Sequence, residues 1–313
     1  MNIDGNGKGA IMVKWIDLET SIDICAPPEF NFDELLVFLG RSDQEVLHQI
    51  KDKELYKLIK INEELILLKI TSKDSTTIHV EFPVGTPSKR EKIAFYIWNW
   101  FDLDKDLKSY YKIAKKDKIL SPLVEKYAGL RIIGIPDLFE ALTWAIIGQQ
   151  INLTFAYTLK SRLVKQFGDK LEWNKATYWL HPTEKAISSL HVNDLKQLQF
   201  TTRKAEYIID IAKAMTNGEI TKENFHQLKD FEQIHKKLMS IRGVGAWTAD
   251  YVMMKCLNHP SAFPIADVGL HNALKVQLQL ERKPTIEEIK EFAANWGGWQ
   301  AYATFYLWRS LYE

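Results

Sequence analysis

The stretch LMSIRGVGAWTADYVMMK, residues 238–255, concentrates residues of the kinds that do chemistry. Gly243 and Gly245 stand two apart just before an apolar helix expected from about Ala246, and both glycines are expected to take backbone angles closed to other residues. Such a turn brings main-chain N–H groups close to whatever docks on it. The helix that follows leaves its first N–H groups unpaired and points the positive end of its dipole at the same turn, which makes an anion site without a basic side chain. A DNA phosphate is the natural ligand, although a helical hairpin also uses glycine simply to turn. Trp247 and Tyr251 lie one helical turn apart and put two rings on one side of that helix. Asp267 follows 20 positions after Trp247, at the start of VGLHNALKV, where it reads either as an N-cap or as a carboxylate aimed at a reacting centre.

These groups need elements to hold them, and the chain shows two textures. SIDICAPPEF, EELILLKITS and TTIHVEFPVG carry short β-branched or alternating apolar runs between turn residues and predict antiparallel strands. Between and after them NFDELLVFLG, DQEVLHQI and SKREKIAFYIWNWF predict helices. From about residue 109 strand signals stop. Ser121 is expected to cap a helix with Pro122 at its first position, Asp137 to cap LFEALTWAIIGQQ, Thr202 to open a helix that Gly218 stops, and Thr285 with Glu288 to form a capping box. The fold class expected is α+β: a flexible tail at residues 1–12, a small antiparallel α/β domain at 13–108, and a large all-α domain at 109–313 with the hairpin at about 238–255.

Bulk properties restrict the function. A 313-residue chain with 46% hydrophobic and 26% charged residues buries a substantial core and is not long-range disordered. Cys25 and Cys256 are too few for a four-cysteine zinc or iron–sulfur site. No apolar stretch is long enough to span a membrane, and the start lacks a signal peptide's apolar core, so a cytoplasmic protein is expected. The formal charge of +1 gives no general attraction to nucleic acid, so such binding must use local patches or backbone groups.

The ordered set of segments decides among these readings. LMSIRGVGAWTADYV resembles the helix-hairpin-helix of DNA glycosylases, and AFPIADVGLHNAL resembles the segment carrying their catalytic aspartate. The resemblance extends through AGLRIIGIPDLFEALTWAIIGQQIN, FTTRKAEYIIDIAKAM and WGGWQAYATFYLW, strongly from residue 128 onward. PPEFNFDELLVFLG resembles the start of the family's amino-terminal domain. Over nearly its whole length the chain is similar to the AlkA-type DNA-3-methyladenine glycosylases (type II) of the helix-hairpin-helix superfamily.

That resemblance implies a monofunctional enzyme of base excision repair that flips an alkylated purine of the 3-methyladenine type out of duplex DNA and hydrolyses its N-glycosidic bond. Asp267 takes the position of the catalytic aspartate; one carboxylate suffices because the alkylated base is already cationic and leaves without an acid. Trp247, Tyr251 and Trp308 match positions lining the base pocket, with Phe38 as a further wall, or else as core packing, and Gln149 nearby. Gln150 takes the position of the wedge that fills the space of the extruded base, while Gly243, Gly245, Ala246 and Thr248 contact DNA. Main-chain carbonyls of Met239, Ile241 and Val244 correspond to a hairpin site for Na+ or K+; no cofactor is implied for catalysis. Lys160, Arg162, Lys165, Arg203 and Lys204 either flank the duplex or cover a solvated face. Val268 stands where the type carries an aromatic, so the pocket is expected to be wider or differently shaped.

Lyase-type members place a lysine where this chain has Trp247, which points to water as the nucleophile. The partner expected is double-stranded DNA with alkylated bases, acted on by a monomer with no membrane attachment. A non-catalytic DNA-binding or damage-sensing protein is the other reading; Asp267 argues against a pure binder, since a carboxylate facing the sugar would only repel phosphate.

Overall fold

The computed structural model describes residues 13–228 and 230–312; the tail expected at 1–12 lies outside them. Six strands, β1 (Trp15–Asp17), β2 (Ser21–Cys25), β3 (Gln49–Lys51), β4 (Glu54–Ile61), β5 (Glu64–Asp74) and β6 (Thr77–Glu81), form one sheet in the order β1-β2-β6-β5-β4-β3. Every neighbouring pair is antiparallel. The run LILLKI in β5 alternates less cleanly than a half-exposed strand because both faces are covered. Ile66, Leu68 and Ile70 enter the main core, whereas Leu67 packs with Tyr56 and Leu58 in a second, smaller cluster on the opposite face.

Helix α1 (Phe32–Leu39) follows β2 and is capped by Asn31, and α2 (Arg90–Trp100) follows β6. Then come α3 (Leu107–Ala114), α4 (Ser121–Lys126), α5 (Leu138–Gly148) and α6 (Leu153–Phe167). A two-stranded hairpin, β7 (Lys170–Trp173) with β8 (Ala176–Trp179), leads to α7 (Glu184–Ser188), α8 (Val192–Gln197), α9 (Thr202–Thr216), α10 (Lys222–His226) and α11 (Phe231–Met239). The chain closes with α12 (Ala246–Lys255), α13 (Val268–Gln277), α14 (Ile286–Phe292) and α15 (Gln300–Arg309). The fold class is α+β, an antiparallel sheet followed by helices. One continuous core runs from Ile22 in the sheet to Trp308 in α15, and α3 spans the expected boundary at residue 109.

Four local expectations are corrected. DQEVLHQI forms no helix: the Glu45 carboxylate takes the N–H groups of Val46 and Leu47 at 2.8 Å each, turning the chain into β3. Ser121 is the first residue of α4, which follows Leu120 without a side-chain cap, while Asp117 holds the preceding turn, its Oδ1 accepting from Ile119 at 2.9 Å and Leu120 at 3.0 Å. Thr201, not Thr202, caps α9. The region after 109 is not all helical, because the β7–β8 hairpin lays Tyr178 against Tyr56 on the outer face of the sheet. Asp137 does cap α5, and Thr285 with Glu288 forms the expected capping box.

Candidate active site

The turn Ile241–Gly245 is shaped by one glycine rather than two. Gly243 has φ +90°, and a Cβ there would come within 2.4 Å of Tyr207 Cγ, so both its angle and its contact require glycine. Gly245, at φ −94° and ψ −179°, is extended backbone that any residue adopts, which corrects the expectation for it. Its contribution is space: a Cβ at Gly245 would meet nothing within 4 Å, and no side chain caps α12. The first N–H groups of that helix therefore face outward, with Ala246 exposed and Thr248 buried behind them. The Ile241 carbonyl accepts from Val244 N at 3.0 Å, Met239 ends α11, and Val244 is buried in the turn.

Asp267 caps α13 and keeps part of its carboxylate exposed. As N-cap of α13, its Oδ1 accepts from Leu270 N at 2.8 Å. The same oxygen accepts from Trp308 Nε1 at 2.7 Å, and Oδ2 accepts from Trp247 Nε1 at 3.1 Å. Two indoles and a helix N-terminus thus fix a partly exposed carboxylate, and Oδ2, with one donor, keeps acceptor capacity. The rings continue inward: Trp247 to Tyr251 at 5.6 Å between centroids, Tyr251 to Trp308 at 6.2 Å, and Trp308 to Phe305 at 6.3 Å. Burial pushes the Tyr251 phenol well up, so it stays neutral.

Phe38 joins this cluster from α1, its ring 4.4 Å from Phe305. One face is already occupied, because the Arg41 guanidinium lies 4.2 Å from its centroid. Lys255, two helical turns beyond Trp247 on α12, is buried with its amine 4.9 Å from Phe305 and 5.4 Å from Phe38. Burial and the nearby Arg41 charge hold that amine well below the ordinary lysine range. Val268 is 62% exposed, leaving the rim beside Asp267 open where an aromatic was expected.

Gln149 does not point freely into the ring cluster. Its Nε2 donates to Gly243 O at 2.9 Å and Thr248 Oγ1 at 3.0 Å, tying the end of α5 to the hairpin. Gln150 follows with φ +56° and an exposed side chain at the tip of the α5–α6 turn. Of the basic residues, Lys165 and Arg203 are exposed, and Arg162 is half-buried and bonded to Leu198 O and Gln199. Lys160 is buried against Glu45 at 2.7 Å, and Lys204 is buried against main-chain carbonyls, so neither covers a solvated face.

Two residues of the site escaped sequence reasoning. A Cβ at Gly269 would lie 2.9 Å from Asp267 Oδ1 and 3.2 Å from Trp308 Nε1, so glycine is what lets the indole reach the carboxylate. Its signal was a glycine in the first turn of a helix with no turn to explain it. Arg41 stands three residues after Phe38 and donates to its carbonyl at 2.7 Å, so spacing alone could have placed it beside that ring, though not beside Tyr157.

The match to known proteins follows the same parts. Residues 143–298 match the HhH-GPD superfamily of base excision DNA repair proteins, and residues 25–142 match the 8-oxoguanine DNA glycosylase N-terminal domain. A DNA-3-methyladenine glycosylase of Bacillus subtilis is 44% identical over 303 residues, covering 95% of this chain and 99% of the relative. DNA-3-methyladenine glycosylase 2 of Escherichia coli is 29% identical over 182 residues, 58% of this chain and 60% of the relative. Among solved structures, the 3-methyladenine DNA-glycosylase from Archaeoglobus fulgidus shares the fold with a TM-score of 0.78 at 24% identity, covering 94% of this chain and 97% of its own.

Proposed function

The chain belongs to the HhH-GPD superfamily of base excision DNA repair proteins and is a DNA glycosylase, and on that premise we propose that it releases cationic alkylated purines of the 3-methyladenine type from duplex DNA by hydrolysis. The observation that carries this reading is the Asp267 carboxylate, fixed by Trp247, Trp308 and Leu270 at the edge of a ring cluster. Breaking the N-glycosidic bond builds positive charge on the sugar. A preorganised carboxylate stabilises that charge and directs water to C1′, and the cationic base leaves as a neutral molecule with no acid required. The ring faces of Trp247, Tyr251 and Trp308 favour a cationic base by ~0.5–2 kcal/mol each. With one Phe38 face covered by Arg41, Phe38 serves as a wall through its remaining surface.

The outward N–H groups of α12 suit a DNA phosphate, approached across Gly245, while Gln150 projects toward the space an extruded base leaves. The neutral main-chain carbonyl oxygens of Met239, Ile241 and Val244 would hold a hard alkali ion, which would add positive charge for phosphate at the hairpin and take no part in the chemistry. Trp247 leaves no amine at the position used by lyases, so the product is an intact abasic strand. The enzyme acts as a cytoplasmic monomer and needs no catalytic cofactor. Incubation with methylated duplex DNA, followed by chromatographic identification of the released bases, tests the reading: free 3-methyladenine is expected, and no released alkylpurine refutes it.

A further inference from the structure

The turn that presents Gln150 is held from below by a residue of a different helix. α5 ends at Gly148, where the last carbonyls of a helix lose their partners and carry the negative end of its dipole. Lys204, on α9, reaches across and donates to Ile147 O at 2.8 Å and Gln149 O at 2.7 Å. Its side chain is buried, and among the described residues no carboxylate pairs with it, so the end of α5 is its counter-charge.

The residue that follows is Gln150, in a left-handed conformation that a residue with a Cβ holds only when its neighbours impose it. Its own side chain is exposed and, among the described residues, makes no hydrogen bond. The amide of Gln149 meanwhile joins the turn to Gly243 and Thr248 of the hairpin. The hairpin is backed by Tyr207, three residues after Lys204 and therefore on the same side of α9. One helix thus braces both the exposed tip and the phosphate-facing turn.

We infer that Lys204 is a positioning residue for base extrusion: by fixing the carbonyl end of α5 it holds Gln150 at a set height over the hairpin, so that gripping the backbone and filling the vacated base position are done by one rigid unit. A tip free to move loses binding energy to ordering each time it enters the duplex. The inference rests on the reading of Gln150 as the wedge, and the test separates the two.

Full-length wild type, K204M, K204R, Q150A and the K204M/Q150A double variant are compared for Kd on a duplex carrying a tetrahydrofuran abasic analogue and on the undamaged duplex of the same sequence. The readout is the ratio of the two affinities, which a general loss of stability does not move. Q150A and K204M are each expected to lower that ratio about tenfold, the size of losing bonds to a charged donor. K204R, whose guanidinium can bridge the same two carbonyls, retains it within about threefold, and the double variant falls no further than Q150A alone. If K204M does not fold, K204Q, which keeps one donor, replaces it with the same outcomes. A wild-type ratio in the lysine variant while Q150A loses its preference, or losses that multiply in the double variant, overturns the positioning role. An unchanged ratio in Q150A overturns the wedge reading and this inference with it, leaving base release to be judged by its own assay.

Discussion

Replacing Asp267 by asparagine separates the cap its carboxylate forms from the catalytic role proposed for it. The side-chain oxygen of the variant can still accept from Leu270 N and Trp308 Nε1, now 2.8 and 2.7 Å from Oδ1, so the cap of α13 survives. The other end becomes an NH2 group facing Trp247 Nε1, which now donates to Oδ2 at 3.1 Å; donor then meets donor and one bond is lost. That costs about 1–2 kcal/mol of stability, or several degrees at most in Tm for a chain of this size. The catalytic loss is larger. Removing a preorganised group that stabilises transition-state charge costs ~3–4 kcal/mol, a reduction of roughly 10²–10³-fold in the bond-breaking rate. Single-turnover release of methylated bases from a methylated duplex, alongside a thermal melt and Kd for the same duplex, reads these effects independently. D267N should fold, bind DNA within a few fold of wild type, and release base several hundredfold more slowly. Release within about threefold of wild type would refute the electrostatic role, whatever the melt shows.

Other perturbations probe neighbouring steps. G269A puts a methyl 2.9 Å from Asp267 Oδ1 and 3.2 Å from Trp308 Nε1, so the carboxylate or the indole must shift; excision should fall about tenfold or more with little change in Tm, and unchanged excision would mean that this approach is not needed. Borohydride present during turnover should trap no protein–DNA adduct, and strand breaks should appear only after alkali; an adduct in good yield would overturn the hydrolytic mechanism and make Lys275 of α13 the first lysine to replace. Desolvation holds half-buried His48 and buried His181 down to about 4 from an ordinary 6.5, so the unfolded chain takes up their protons first. Their stability contribution is complete above pH 6.5 and is lost as pH falls toward 4, by up to about 3 kcal/mol each. Asp137, its carboxyl pushed up to about 6 by desolvation, works the opposite way below that pH. Chemical denaturation at pH 7 and pH 5 should therefore show a smaller acid loss in H48Q/H181Q than in wild type; equal losses would show that these histidines are not the source.

The sequence by itself determined what acts over one or two helical turns. The hairpin was legible because a positive φ at Gly243 and the start of α12 are encoded within a few residues, and the Trp247–Tyr251 pair because helical spacing fixes which side chains share a face. Asp137 and the Thr285–Glu288 box were readable for the same reason. The β7–β8 hairpin could have been read from KLEW and ATYW, but its turn, Asn174–Lys175 with φ +46° and +60°, lacks the glycine that usually announces positive angles. Ordered segment resemblance brought Trp308 and Phe38 into consideration without saying what they touch.

Tertiary structure alone decided the contacts that make the site. Asp267 meets Trp308 across 41 residues and Trp247 across 20, and no local rule sets a donor–acceptor distance between chain segments that far apart. Phe38 meets Phe305 because α1 packs on α15, and Lys204 is buried on main-chain carbonyls instead of standing as a surface charge because α9 lies against the end of α5. Charge and side-chain length are written in the sequence, but whether a lysine meets solvent, a carboxylate or a helix end depends on the summed burial of the whole core, which no window of the chain contains.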